Sequence, residues 1–184
     1  MNSFSDRLKE TRLRNSGALA AFGVAVTSVG TQARTVRKGG ELTLYTVGYE
    51  KRDGKELMSL LTDQGVKALA DVREKPISRK PDFRAAALRG LCRDAGIEYH
   101  GWTTLGSPTA LRDDLVENGD FPDFARKFRS HAEKFMKDDL AKLAMAIQRE
   151  PTALLCYERD HADCHRSILA DLLADLTDAT VVAL

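Results

Sequence analysis

Three cysteines in 184 residues, Cys92, Cys156 and Cys164, are too few and too odd in number for a disulfide framework. They suit a reducing compartment, so a cytoplasmic location is expected. No apolar run is long enough to span a bilayer, so no membrane association is expected. The formal net charge is only +1, so the chain as a whole offers no electrostatic reason to expect nucleic acid. No internal repeat and no low-complexity tract is present. A composition of 43% hydrophobic and 30% charged residues, at this length, is that of a soluble chain able to bury a core.

The charge is unevenly spread. Residues 1–40 carry seven basic and two acidic side chains, and the remainder carries 21 and 25. Gly17 to Val29 loosely mimics a secretory signal, but the charged region before it contains Asp6 and Glu10 and the apolar part is diluted by Gly and Thr. Residues 1–40 therefore read as a flexible basic N-terminal extension, with a short docking helix over Phe4 to Arg14 as another option. Residues 41–184 read as one α/β domain.

From Glu41 onward strand and helix signals alternate. Leu42 to Tyr49, Val66 to Val72, Ile97 to Trp102, Thr152 to Tyr157 and Ala179 to Leu184 read as strands. Asp53 with Glu56 forms a capping box before a stripe of Leu57, Leu60 and Leu61. Phe83, Leu88 and Leu91 mark a second helix, with Pro81 in its first turn. Gly101 to Gly119 reads as a long loop with at most one short helix. Phe121, Phe124, Phe128 and Phe135 form a buried helical stripe, with a break near Asp138 and Asp139, and Cys164 to Leu176 is the last helix. This alternation predicts a three-layer open sheet, mostly parallel, with helices on both faces.

Such sheets bind ligands beyond the carboxyl ends of their strands. Those ends are Gly48-Tyr49, Asp71-Val72-Arg73, Tyr99-His100 and Cys156-Tyr157-Glu158, and the reactive side chains gather at them. Asp163 as N-cap would place Cys164, His165 and Arg166 in one opening helical turn, where a thiol beside an arginine has reason to ionise and free N–H groups attract an anion. Cys164, His165 and Glu158 are thus the candidate catalytic residues. Arg73, Arg166, Tyr49, Asp71, Tyr99 and Cys156 are the candidate substrate-binding ones. Tyr49, Tyr99, His100 and Trp102 would form an aromatic wall. Cys156, His161, Cys164 and His165 are metal-ligand types, but adjacent Cys164 and His165 rarely hold one ion together, so neither metal nor cofactor is expected. Against these stand plain structural roles: Cys92 as core packing, and Asp71–arginine pairs that only order a loop.

Thr46-Val47-Gly48-Tyr49, Asp71-Val72-Arg73 with Pro76 and Ser78, Phe83, Gly96-Ile97-x-Tyr99, Leu105-Gly106, Leu154-Leu155-Cys156-x-Glu158 and Cys164-His165-Arg166 form an ordered set. In this set the chain resembles the domain of unknown function 488 family over most of Leu42 to Leu176. It departs at Tyr49-Glu50, where members more often carry His-Ser, and at Ser107, where a second glycine is common. The resemblance implies an intracellular α/β domain and supplies no reaction. The leading expectation is a strand-end active or anion-binding site acting on a phosphate-bearing small molecule, nucleotide or nucleic acid. Its alternatives are a non-catalytic adaptor locked by Asp71–Arg166 and Glu158–Arg73 pairs, and a rhodanese-like sulfur transferase. An acidic loop holding Glu158, Asp160 and Asp163 argues against the last. Oligomeric state is left open.

Overall fold

Thr, Tyr and Val recur along Thr43–Gly48, and this β-prone run forms the first strand, β1. A computed structural model of the protein describes residues 42–184, so the expectations for residues 1–40 lie outside the described residues. After β1 come α1 (Gly54–Asp63), β2 (Ala68–Asp71), α2 (Ala85–Asp94), β3 (Glu98–Gly101), α3 (Thr109–Asn118), α4 (Phe121–Phe135), α5 (Lys137–Ile147), β4 (Thr152–Cys156), α6 (His165–Thr177) and β5 (Thr180–Ala183). All four strand pairings are parallel, in the order β3-β2-β4-β1-β5.

Parallel strands covered on both faces need apolar residues on both, and β4 is buried at every position from Thr152 to Cys156. Leu44, Ala70, Val72 and Leu154 pack with α4, α5 and α6. Val47, Leu69, Ala153 and Leu155 pack with α1 and α2 on the other face. The expected three-layer α/β architecture is thus present. Among the described residues no helix is long and apolar enough to cross a membrane.

The order of strands fixes where a ligand site belongs. The chain leaves β1 and β2 toward the α1/α2 face, whereas it leaves β4, which lies between them, toward the α6 face. Neighbouring connections that part to opposite faces open a crevice at the carboxyl edge, and here it falls at the end of β4.

Local signals account for most boundaries. Asp53 accepts from the backbone N–H of Glu56 at 2.8 Å, and Glu56 accepts from the N–H of Asp53 at 2.8 Å, closing the predicted capping box. Asp53→Ala is expected to lower stability by about 1 kcal/mol, read from the urea unfolding midpoint. Other boundaries differ from expectation. The segment expected as a long loop with at most one short helix holds the ten-residue α3. Its apolar stripe is faint because only Leu111 and Leu115 pack, and only partly, against the core. Pro81 opens a single 3-10 turn, Pro81–Phe83, instead of the α-helix. The break between α4 and α5 falls at Met136, since Asp138 and Asp139 sit in the first turn of α5, where carboxylates suit the helix dipole. Phe124 and Phe128 are buried as expected, but Phe135, at the end of its helix, is exposed.

Candidate active site

Period-two alternation directs Cys156 and Glu158 the same way at the end of β4. The structure joins them to the start of α6. The Cys156 Sγ lies 3.2 Å and the Cys164 Sγ 2.9 Å from the same oxygen, Oε2 of Glu158. The two sulfurs lie 3.6 and 3.8 Å from Nδ1 of His165. Nε2 of His165 lies 3.0 Å from the carbonyl oxygen of Val72. A carbonyl can only accept, so Nε2 carries a proton, and in the neutral ring Nδ1 turns a lone pair to the sulfurs. Phe128 of α4 meets the imidazole edge-on at 5.4 Å between ring centroids and closes the centre from below. Cys156, Cys164 and His165 are all buried.

The helix begins one residue later than Asp163 would set it. Cys164 is the N-cap, in extended backbone, and His165 is the first helical residue. That break explains how two side chains adjacent in sequence reach one centre. The environment also runs against a resting Cys164 thiolate. Burial pushes its thiol well above the ordinary value, and the neighbouring Cys156 adds to the shift. Burial alone would raise the pKa of Glu158, but the hydrogen bonds from Cys164 and Cys156 outweigh it and hold the carboxyl below its usual range. Glu158 therefore carries negative charge in this centre, while for His165 burial opposes the charged form but Cys164, the Val72 carbonyl and Glu158 outweigh it and raise its pKa.

The two candidate arginines are buried rather than aimed at solvent. Arg73 donates to Asp71 from Nε at 2.7 Å and from Nη2 at 2.5 Å, and from Nη1 to the carbonyl oxygen of Phe83 at 2.8 Å and the hydroxyl of Tyr49 at 3.2 Å. Tyr99 donates its hydroxyl to Asp71 at 2.7 Å. Asp71, Arg73, Tyr49 and Tyr99 thus form one closed network beside the thiol centre, linked to it through the Val72 backbone. Tyr49 stacks on Phe83 at 4.2 Å between centroids. The aromatic wall is not formed: Tyr99 packs on the α1/α2 face, Trp102 on the opposite face, and His100 bonds to Glu98 on the exposed edge strand. Nor do the rim pairs of the adaptor reading occur. Asp71 pairs with Arg73, and Arg166 donates to the main-chain oxygens of Glu158 and Arg159.

Arg166 clamps the loop from inside, and its Nε has no hydrogen-bond partner among the described residues. Sequence reasoning missed two companions, Arg52 and Arg159. Burial, then the charges of Arg159 and Arg166, lower the pKa of Arg52, and its buried Nη1 also has no partner among the described residues. Arg52 sits just before the α1 N-cap, beside an open hollow of about 470 Å³ that Lys51 and Lys80 also line. Both companions stand next to residues with a visible signal, Asp53 and Glu158; only their folded proximity gives them a joint meaning. His161, a nominal metal ligand, instead holds Thr46 through Nδ1 at 2.9 Å. Cys92 is core packing on the α1/α2 face, and burial, then the charge of Asp71, pushes its thiol up to about 12.

Residues 53–173 match the family described as Domain of unknown function DUF488. The match spans more than half of the chain, and the chain belongs to that family. It runs from the α1 N-cap to α6 and so contains the whole thiol centre. No curated protein and no solved structure matches the chain.

Proposed function

We propose that this member of the family is an enzyme acting on a phosphate-bearing anion, a small molecule, nucleotide or nucleic-acid end. Its reactive centre is the cluster of Cys156, Glu158, Cys164 and His165. The observation that carries this reading is the convergence of two thiols on one carboxylate oxygen, beside an oriented imidazole, where the strand connections part. Glu158 and Nδ1 of His165 are the groups placed to take the thiol protons.

Arg52, Arg159 and Arg166 supply the positive surround in place of Arg73. An anion relieves Arg52, which stands beside the charges of Arg159 and Arg166, and pairs the buried donors of Arg52 and Arg166 that have no partner among the described residues. The test is a thermal-shift series on the full chain with inorganic phosphate, a nucleoside monophosphate and a short oligonucleotide. A ligand at about 100 times its Kd adds about 2.7 kcal/mol, a shift of several degrees. The shift is expected to shrink with added salt and in Arg159→Ala, whose side chain is exposed. If no phosphate compound moves the midpoint, or Arg159→Ala responds as the parent does, the anion reading is wrong.

A further inference from the structure

We infer that Cys156, Cys164 and His165, with Glu158 at the fourth corner, form a binding site for one thiophilic divalent cation of the zinc type. This goes beyond the reading of the cluster as a thiol reactive centre: with the ion bound, Glu158 and His165 hold the metal instead of the thiol protons, and the inference does not depend on the anion surround.

Donors and acceptors in the cluster do not balance. Each thiol has one proton to give, and both point to the same Glu158 oxygen. In the neutral ring Nδ1 of His165 is an acceptor, buried, with the two sulfurs at 3.6 and 3.8 Å before it. Four electron-pair donors therefore face one another across two protons. A buried acceptor without a good donor is costly, and a single cation at the centre satisfies all four groups at once.

The distances agree with this. Zinc bonds of about 2.3 Å to sulfur and about 2.0–2.1 Å to nitrogen place neighbouring corners of a tetrahedron roughly 3.5–3.8 Å apart. The sulfur-to-nitrogen separations are 3.6 and 3.8 Å. The sulfur-to-oxygen separations of 3.2 and 2.9 Å are shorter because those contacts are hydrogen bonds. Donor atoms of Cys156, Cys164 and His165 all lie within 4.8 Å of one another.

The surroundings are those a metal-bound imidazole needs. The Val72 carbonyl holds the far ring nitrogen and fixes the tautomer, as outer partners of metal-bound histidines do. Two thiolates and an imidazole select a borderline-soft ion over magnesium or calcium. Two thiolates and a carboxylate around a dication leave one net negative charge. Arg166, clamped to the main-chain oxygen of Glu158, stands where it offsets that charge.

The test uses the full chain, reduced, freed of metal with a chelator, and titrated with Co²⁺ alone. Expected are saturation at one ion per chain, thiolate-to-cobalt charge-transfer absorption, intense visible bands of a tetrahedral site, and displacement of both by Zn²⁺. Cys164→Ser and Cys156→Ser are expected to weaken binding more than about 100-fold, beyond the 10–100-fold typical of losing an outer partner. Cys92→Ser is expected to bind as the parent does. Because a cluster variant can fail to fold, alkylation of the unsubstituted protein gives a second reading: Zn²⁺ is expected to slow labelling of Cys156 and Cys164 and to leave Cys92 unaffected. Absence of both the cobalt bands and the protection overturns the inference. A phosphate-dependent thermal shift in that same metal-free protein would leave the anion reading standing, and metal binding without any such shift would do the reverse.

Discussion

Arg73→Ala is expected to cost about 3–5 kcal/mol of folding stability, the loss typical when one partner of a buried ion pair is removed. Asp71 is wholly buried and Arg73 is 5% exposed. Burial opposes the charge of Arg73, yet the hydrogen bonds and charge of Asp71 hold its pKa above the ordinary arginine value. Without the guanidinium, Asp71 keeps the Tyr99 hydroxyl and a long bond from the backbone N–H of residue 73, at 3.2 Å. The Phe83 carbonyl and the Tyr49 hydroxyl lose their donor as well. For a domain of this size the melting point should fall on the order of 10 °C. Arg73→Lys should recover little, because an ammonium cannot reproduce the two-pronged contact. Replacing both partners, as Asp71→Leu with Arg73→Met, should recover most of the loss, and the resulting double-mutant cycle isolates the coupling. A residue whose work was to hold substrate would instead leave the unfolding midpoint where it was.

That contrast shows what the residues of this chain disclose and what they withhold. The thiol centre was legible because its placement follows from short-range rules. Alternation sets Cys156 beside Glu158, and a strand-to-helix corner brings in Cys164 and His165. Arginine is different. Its long side chain either reaches outward to a ligand or folds back on a neighbour, and adjacency does not decide which. For Arg73 the main partner is Asp71, two residues away, a pairing that adjacency allows but does not impose, and Tyr49 and Phe83, 24 and 10 residues away, complete its enclosure. For Arg166 the decision lies with two main-chain oxygens of the loop before its own helix. Strand order was equally hidden. Nothing local in Thr152–Cys156 says that it inserts between β1 and β2, although its unbroken burial befits a central strand. The extent of α3, allowed for only as a short helix within a loop, was hidden because it buries no residue fully. As for sulfur transfer, a persulfide anion built on Cys156, whose Sγ lies 3.2 Å from the Glu158 carboxylate, would form beside a like charge that opposes it.

The second large effect concerns one methyl group. Gly48 ends β1 opposite Cys156, and a Cβ there would stand 1.8 Å from the Glu158 carbonyl oxygen, 2.6 Å from its carbon and 2.9 Å from the Arg159 Cα. These are backbone atoms, so no rotamer change relieves the clash. The same carbonyl is held by Arg166, so the loop cannot retreat without breaking that clamp and drawing the Glu158 carboxylate off the two sulfurs. Gly48→Ala is therefore expected to cost at least the ~1–3 kcal/mol of ordinary overpacking and to weaken Co²⁺ binding along with it. Gly90→Ala supplies the control of opposite sign. It lies within α2, where an added methyl would meet no neighbouring atom within 4 Å, so it should gain up to about 1 kcal/mol from helix propensity. Urea unfolding of the two variants against the parent is the measurement. Equal midpoints for Gly48→Ala and the parent, with metal binding intact, would mean that the loop after β4 is not pressed against β1, and the centre built on that contact would have to be redrawn.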